Sequence, residues 1–230
     1  MLFKELYELW KGDSSLNQAI NDSHRMIAQT FEMFRESVRS LRQSDDGNLK
    51  LNVYESDQAV NEYMHQVRRK VHEYLAVTGG LNIIPGLILT SIVIDIERIG
   101  DYTKNITDLA VAHPHKLSGG DFEEDFQKIE QTVADIFHKL IPILNTSDKA
   151  AASGLINDTY WVLKRCDEIV DSVIKDEDKG HSSKDTATRV LYTRHLKRIA
   201  AHLLNIASSV VNPFEHIGFK SEDGSTVSSS

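Results

Sequence analysis

Cysteine, proline, aromatic residues and positive charge are all scarce in this sequence, and each scarcity excludes something. A single cysteine, Cys166, among 230 residues excludes an internal disulfide and suits a reducing compartment, so packing is its expected role. With 4 prolines and 7% aromatic residues, helices are expected rather than stacked sheets. The 26 basic side chains are outnumbered by 34 acidic ones, which gives a net charge of -8. That balance opposes attraction to a phosphate backbone, and no nucleic-acid partner is expected. The apolar stretch from Leu81 to Ile94 is too short to span a bilayer and is interrupted by Asn82, Pro85 and Gly86. It reads as the start of a buried helix, so contact with membranes is expected to be indirect. The opening Met-Leu-Phe-Lys-Glu shows no basic start, apolar middle or small-residue cleavage site. A cytoplasmic location is therefore expected, and the sequons at Asn21, Asn105, Asn145 and Asn157 are read as chance matches. A glycine-rich phosphate loop ahead of a helix, a nucleophile elbow and a His-Glu-x-x-His motif are also missing, and no enzyme is expected.

What the sequence has in plenty is helical periodicity, within an ordinary soluble composition of 40% hydrophobic and 26% charged residues. Leu2, Phe3, Leu6, Leu9 and Trp10 fall on one side of a short helix that Gly12 and Asp13 end, a segment suited to covering the end of a bundle, with docking on a membrane surface or a partner as the rival reading. Ser14 or Ser15 caps the next helix, which runs through Ile20, Ile27, Phe31, Phe34 and Val38 to about Leu41, before a turn at Asp45-Asp46-Gly47-Asn48. A second long helix spans about Lys50 to Ala76, and Thr78-Gly79-Gly80 breaks it ahead of a third that starts near Pro85-Gly86. His113-Pro114-His115 and the glycines at 119 and 120 form a polar linker whose histidines are expected to be exposed. Helices follow at about 122–144, 149–175, where Asp148 provides the cap, and 186–211, ahead of Pro213. The expected fold class is all-α, six long helices as two repeated three-helix bundles packed together. The first bundle is residues 1–113, the linker 114–120, the second bundle 121–213, and 214–230 a tail expected to be disordered.

One stretch carries more than packing. Ile92, Ile96, Ile99, Thr103, Ile106 and Ala110 make an apolar stripe, while Glu97, Asp101, Lys104 and Asp108 gather opposite it. Glu97 and Asp101 stand one turn apart and repel by about 0.2–0.5 kcal/mol, which a bridging cation would relieve. A solvated acidic face softened by Lys104 is the plainer reading. Asp95 breaks the pattern by falling on the Ile99 side; a buried carboxylate needs a partner, and Arg98 is the nearest cation in sequence, so an Asp95–Arg98 ion pair is expected. The segment recurs 100 residues later: Arg98, Ile99, Asn105 and Ile106 have equals in Arg198, Ile199, Asn205 and Ile206. The acidic pair is not copied, since Lys197 and Ala201 stand in its place. Asp167 and Asp171 align with Asp57 and Asn61 at an offset of 110.

Asp95-Ile-Glu97-Arg98-Ile-Gly100-Asp101, followed by Asn105-Ile, resembles the Asp-Leu-Glu-Arg-Ile-Gly-Asp signature of the PhoU family, and Arg198-Ile-Ala-Ala-His202-Leu-Leu-Asn205-Ile resembles that family's second copy. The resemblance implies a cytoplasmic, usually dimeric adaptor. Such an adaptor restrains phosphate uptake and signalling by contacting a phosphate transporter and its sensor histidine kinase. It also implies a carboxylate metal site, with Asp57 and Asn61 joining Glu97 and Asp101 around iron, zinc, manganese or magnesium. In the second half, Lys197 faces Asp167 and Asp171 and takes the place of a metal, so a metal-competent half and a salt-bridged half are expected. The alternative reading is a metal-binding or ferritin-like di-iron redox protein, for which Glu62-x-x-His65 supplies one of the two motifs required.

Overall fold

The chain is described by a computed structural model over residues 14–45, 49–79, 83–113, 115–175 and 182–218. Those residues form seven α-helices and two short 3-10 turns, with no strand among them. The expected N-terminal helix, most of the turn at 45–48, residues 176–181 and residues 219–230 of the tail lie outside the described residues.

Helix α1 (Ser14–Gln43) buries Leu16, Ala19, Ser23, Met26, Thr30, Met33, Ser37 and Leu41, a spacing of three and four residues that keeps one face inward. Helix α2 (Val53–Val77) starts where the Asn52 side chain accepts a hydrogen bond from the Glu55 amide at 3.3 Å, and it ends ahead of Gly79 at φ +62°. Helix α3 (Ile83–Ala112) packs against both, and Gly86 lets it approach α2 closely: a Cβ there would lie 2.9 Å from Val71 Cγ1. Buried aliphatic side chains of this kind each stabilise the fold by about 1.5–3 kcal/mol.

After the linker, helix α4 (Glu123–Thr146) ends at Ser147 in the left-handed region, and Asp148 then caps α5 (Lys149–Thr159) by accepting from the Ala151 amide at 3.0 Å. The helix expected at 149–175 is divided, since Tyr160 separates α5 from α6 (Trp161–Ile174). Ser182 caps α7 (Ser183–Val211), accepting from the Asp185 amide while its own hydroxyl donates to the Asp185 carboxylate. Helix α7 packs on α4, α5 and α6 on one side and on α3 on the other. Helix α1 also meets α4, where Phe137 packs 5.1 Å from Phe31 and 5.7 Å from Phe34 between ring centroids. One apolar core thus runs from α1 to α7.

The start of α3 departs from expectation. Pro85, Gly86, Ile88 and Leu89 are buried, but Ile83, Ile84, Leu87 and Ile94 are 37–45% exposed. Neighbours on two sides cover two faces of the helix and leave its outward stripe open.

The linker is held by buried cations. Arg42, at the end of α1, donates to Glu130 at 2.9 Å, to Glu123 at 2.6 Å and to the Leu117 carbonyl. Tyr192 on α7 donates to Glu130 at 2.8 Å, and Arg189 donates to the Ser118 carbonyl at 2.8 Å. His113 is 6% exposed, contrary to the exposure expected of the linker histidines. Its Nε2 lies 2.6 Å from Asp185 and its Nδ1 2.8 Å from the His115 carbonyl, so polar partners on α7 and in the linker permit its burial. His115 is exposed.

Candidate functional site

Helices α2 and α3 bring the first set of carboxylates together. Asp57 on α2 is 6% exposed and faces α3 beside Gly100, whose missing side chain leaves room for it: a Cβ at Gly100 would lie 3.4 Å from Asp57 Oδ1. Glu97 and Asp101 lie along α3 as the helical repeat demands, and Asn61 is half-buried one turn beyond Asp57. Lys104 is drawn into this set. Its Nζ is 2.7 Å from Asp57 Oδ2 and 3.2 Å from Asp101 Oδ1. Burial works against its charge, but the bonds to Asp57 and Asp101 outweigh that and raise its pKa above the ordinary lysine range. The Glu97 carboxyl moves up through burial and through the neighbouring Asp101, partly countered by Arg98.

In the second half, Lys197 Nζ lies 2.6 and 2.5 Å from the two oxygens of Asp167, and Arg194 stands 3.8 Å from the same carboxylate. Asp171 is exposed on α6.

Asp95 does not pair with Arg98. It accepts from His202 Nδ1 at 2.6 Å and from Asn205 Nδ2 at 3.2 Å, across the seam where α3 crosses α7. Arg98, about half exposed, turns instead to Asp101 at 3.2 Å and Glu97 at 3.6 Å. The reason is geometric: Asp95 shares its face with Tyr102, which meets His195 and His202 of α7, whereas Arg98 is rotated toward the outer carboxylates. On the same seam Tyr102 stacks on His202 with ring centroids 5.7 Å apart, lies 5.9 Å from His195, and accepts from Arg198 Nε at 3.1 Å. Burial lowers the His195 pKa, partly countered by Asp108. At the repeat offset of 100, Asp95 corresponds to His195 and Tyr102 to His202. The two crossings therefore join equivalent positions through different chemistry.

A bridging ion would need the space between Asp57 and Asp101, which the Lys104 ammonium fills, and the Asn61 amide is a neutral, weaker ligand. Among the described residues, no group of three or more His, Cys, Asp or Glu is disposed to hold a metal ion. The residues as folded do not fit the group. Glu62 and His65 are both exposed on α2, and the Glu62 carboxylate accepts from Gln66 on its own helix at 3.1 Å. Cys166 is 1% exposed, and burial pushes its thiol up to about 12, the state of a packed rather than a reactive cysteine. No described helix is long and apolar enough to cross a membrane. Sequence reasoning singled out Asp57, Glu97, Asp101, Lys197 and Asp167 but gave no role to His202, Asn205, Tyr102, Arg42 or Glu130. Their partners lie in the other half of the chain, and only the repeated Asn-Ile and His202 of the second motif hinted at them.

Comparison with known proteins bears on this arrangement. Residues 24–110 match the family model described as the PhoU domain. No curated protein matches the sequence significantly. Among solved structures, the fold matches the crystal structure of the phosphate transport system regulatory protein PhoU from Streptococcus pneumoniae with a TM-score of 0.75. Sequence identity is 15%, with 86% of this chain and 94% of that chain covered, so this second likeness is one of fold. The stretch that resembles the PhoU domain, residues 24–110, holds Asp57, Asp95, Glu97 and Asp101, and the chain has the fold of that solved structure.

Proposed function

We propose that this chain is a cytoplasmic regulator of phosphate uptake, acting through protein–protein contact with a phosphate transporter, its sensor kinase, or both. The observation that carries the reading is a stretch that resembles the PhoU domain, set in the fold of a phosphate transport system regulatory protein. The side chains support an adaptor rather than a catalyst. Asp57 and Asp101 are bonded to Lys104, Asp167 to Lys197 and His202 to Asp95, and the single thiol is packed away. In this reading residues 1–113 and 121–213 are two PhoU-type repeats, the working unit is a homodimer, and membranes are reached only through the transporter. Glu62 and His65, exposed on one helix, give the di-iron alternative no footing.

Deleting the gene in a host with no second copy is expected to raise phosphate uptake, or expression of phosphate-starvation genes, when phosphate is plentiful. The purified chain is expected to retain the transporter's ATP-binding subunit or the kinase's cytoplasmic part on an affinity column. Unchanged uptake and expression in the deletion strain would remove the regulatory reading; failure to retain either protein would remove the stated partners.

A further inference from the structure

The carboxylates that a metal would bridge already hold a cation that belongs to the chain. We infer that Lys104 and Lys197 are the resident cations of the two carboxylate clusters and that the fold is complete without a metal ion.

In the first half, Lys104 Nζ lies within bonding distance of one oxygen of Asp57 and one of Asp101, at 2.7 and 3.2 Å. An ion such as Mg2+ would stand about 2.0–2.1 Å from each ligand oxygen, in the volume the ammonium fills, so the two occupants exclude one another. Arg98 takes the outer side of the same group, bonded to Asp101 at 3.2 Å and near Glu97 at 3.6 Å. A tethered ammonium also competes at an effective concentration on the order of millimolar or more.

The second half supplies an independent observation. Asp167 is the counterpart of Asp57 at the offset of 110, and Lys197 Nζ reaches both of its oxygens at 2.5 and 2.6 Å. Yet the two lysines are not counterparts. At the offset of 100, Lys104 corresponds to Leu204 and Lys197 to Glu97. Equivalent aspartates are met by ammonium groups sent from non-equivalent positions. What the halves share is therefore neutralisation from within the chain, not one inherited residue.

The test takes the full-length protein, strips it with chelator, and offers Mn2+, Fe2+, Zn2+ or Mg2+ in turn. It is read by elemental analysis after gel filtration and by thermal unfolding. Wild type is expected to keep no stoichiometric metal and to melt at the same temperature with or without each ion. Lys104→Gln is expected to melt lower when metal-free and to be restored by Mn2+, while Lys104→Arg, which keeps the charge, should follow the wild type. A wild-type chain that retains a stoichiometric ion, or melts higher on receiving one, overturns the inference. So does a Lys104→Gln variant that melts like the wild type. Should Lys104→Gln fail to fold, the wild type and Lys104→Arg still decide: metal retained by either overturns the inference, and metal-free folding of both sustains it.

Discussion

At the scale of single residues, the side chain with the most depending on it is Arg42. Its guanidinium is 4% exposed, lies 5.3 Å from the Phe126 ring centroid, and joins α1 to α4 and the linker at once. Replacing it by Met keeps much of the apolar stem but leaves Glu130 without its cation, and removing one partner of a buried pair costs about 3–5 kcal/mol. Burial raises the Glu130 pKa, and Arg42 is the first of the groups that hold it down. A carboxyl whose folded pKa stands above its unfolded value binds more protons when folded, so its contribution to stability is lost as pH rises between the two values. Without Arg42 that window widens upward. The Arg42→Met defect, measured by urea unfolding, is therefore expected to be larger at pH 8 than at pH 5, where the stranded carboxyl can take up a proton. An equal defect at both values would mean that Glu130 is not what the substitution strands. None of this was legible in sequence, because Glu130 lies 88 residues from Arg42 and no local spacing links them.

At the scale of elements, the helices were legible and their limits less so. Asn52, Asp148 and Ser182 cap three helices with side chains suited to the task, and the apolar period is clean enough to place each helix within a few residues. The division at Tyr160 left no trace in sequence because the residue keeps helical angles, φ -60° and ψ -25°, so no glycine or proline is needed there. Two glycines separate packing from propensity. Gly154, within α5, has nothing within 4 Å of where a Cβ would stand, so Gly154→Ala is expected to stabilise by about 0.5–1 kcal/mol. At Gly86 the same change drives a methyl into Val71, a stiff β-branched neighbour, and overpacking of that kind costs about 1–3 kcal/mol. Gly86→Ala is therefore expected to lower the melting temperature while Gly154→Ala raises it. Shifts of the same sign in a thermal scan would show that helix propensity, and not the α2–α3 contact, sets the outcome.

At the scale of the whole molecule, the apolar core does not stop at the linker. It continues through the α3–α7 seam and the Phe31, Phe34 and Phe137 contact. Unfolding in urea is therefore expected as one transition, with circular dichroism and tryptophan fluorescence coincident; two separated transitions would mean that the halves are stable alone. The repeat was readable from Arg-Ile and Asn-Ile recurring at a fixed interval, but how the copies touch was not, since a repeat fixes likeness and not contact. The seam has a further consequence. Two identical subunits meeting about a twofold axis must make every contact twice, so each substitution strikes in duplicate. One chain carrying both copies is free of that rule. Asp95 can face His202 on one side while His195 faces Tyr102 on the other, and an altered residue tries out a single contact at a time. With both copies in one chain, the two sides of the seam can drift apart where a twofold pair of identical subunits could not.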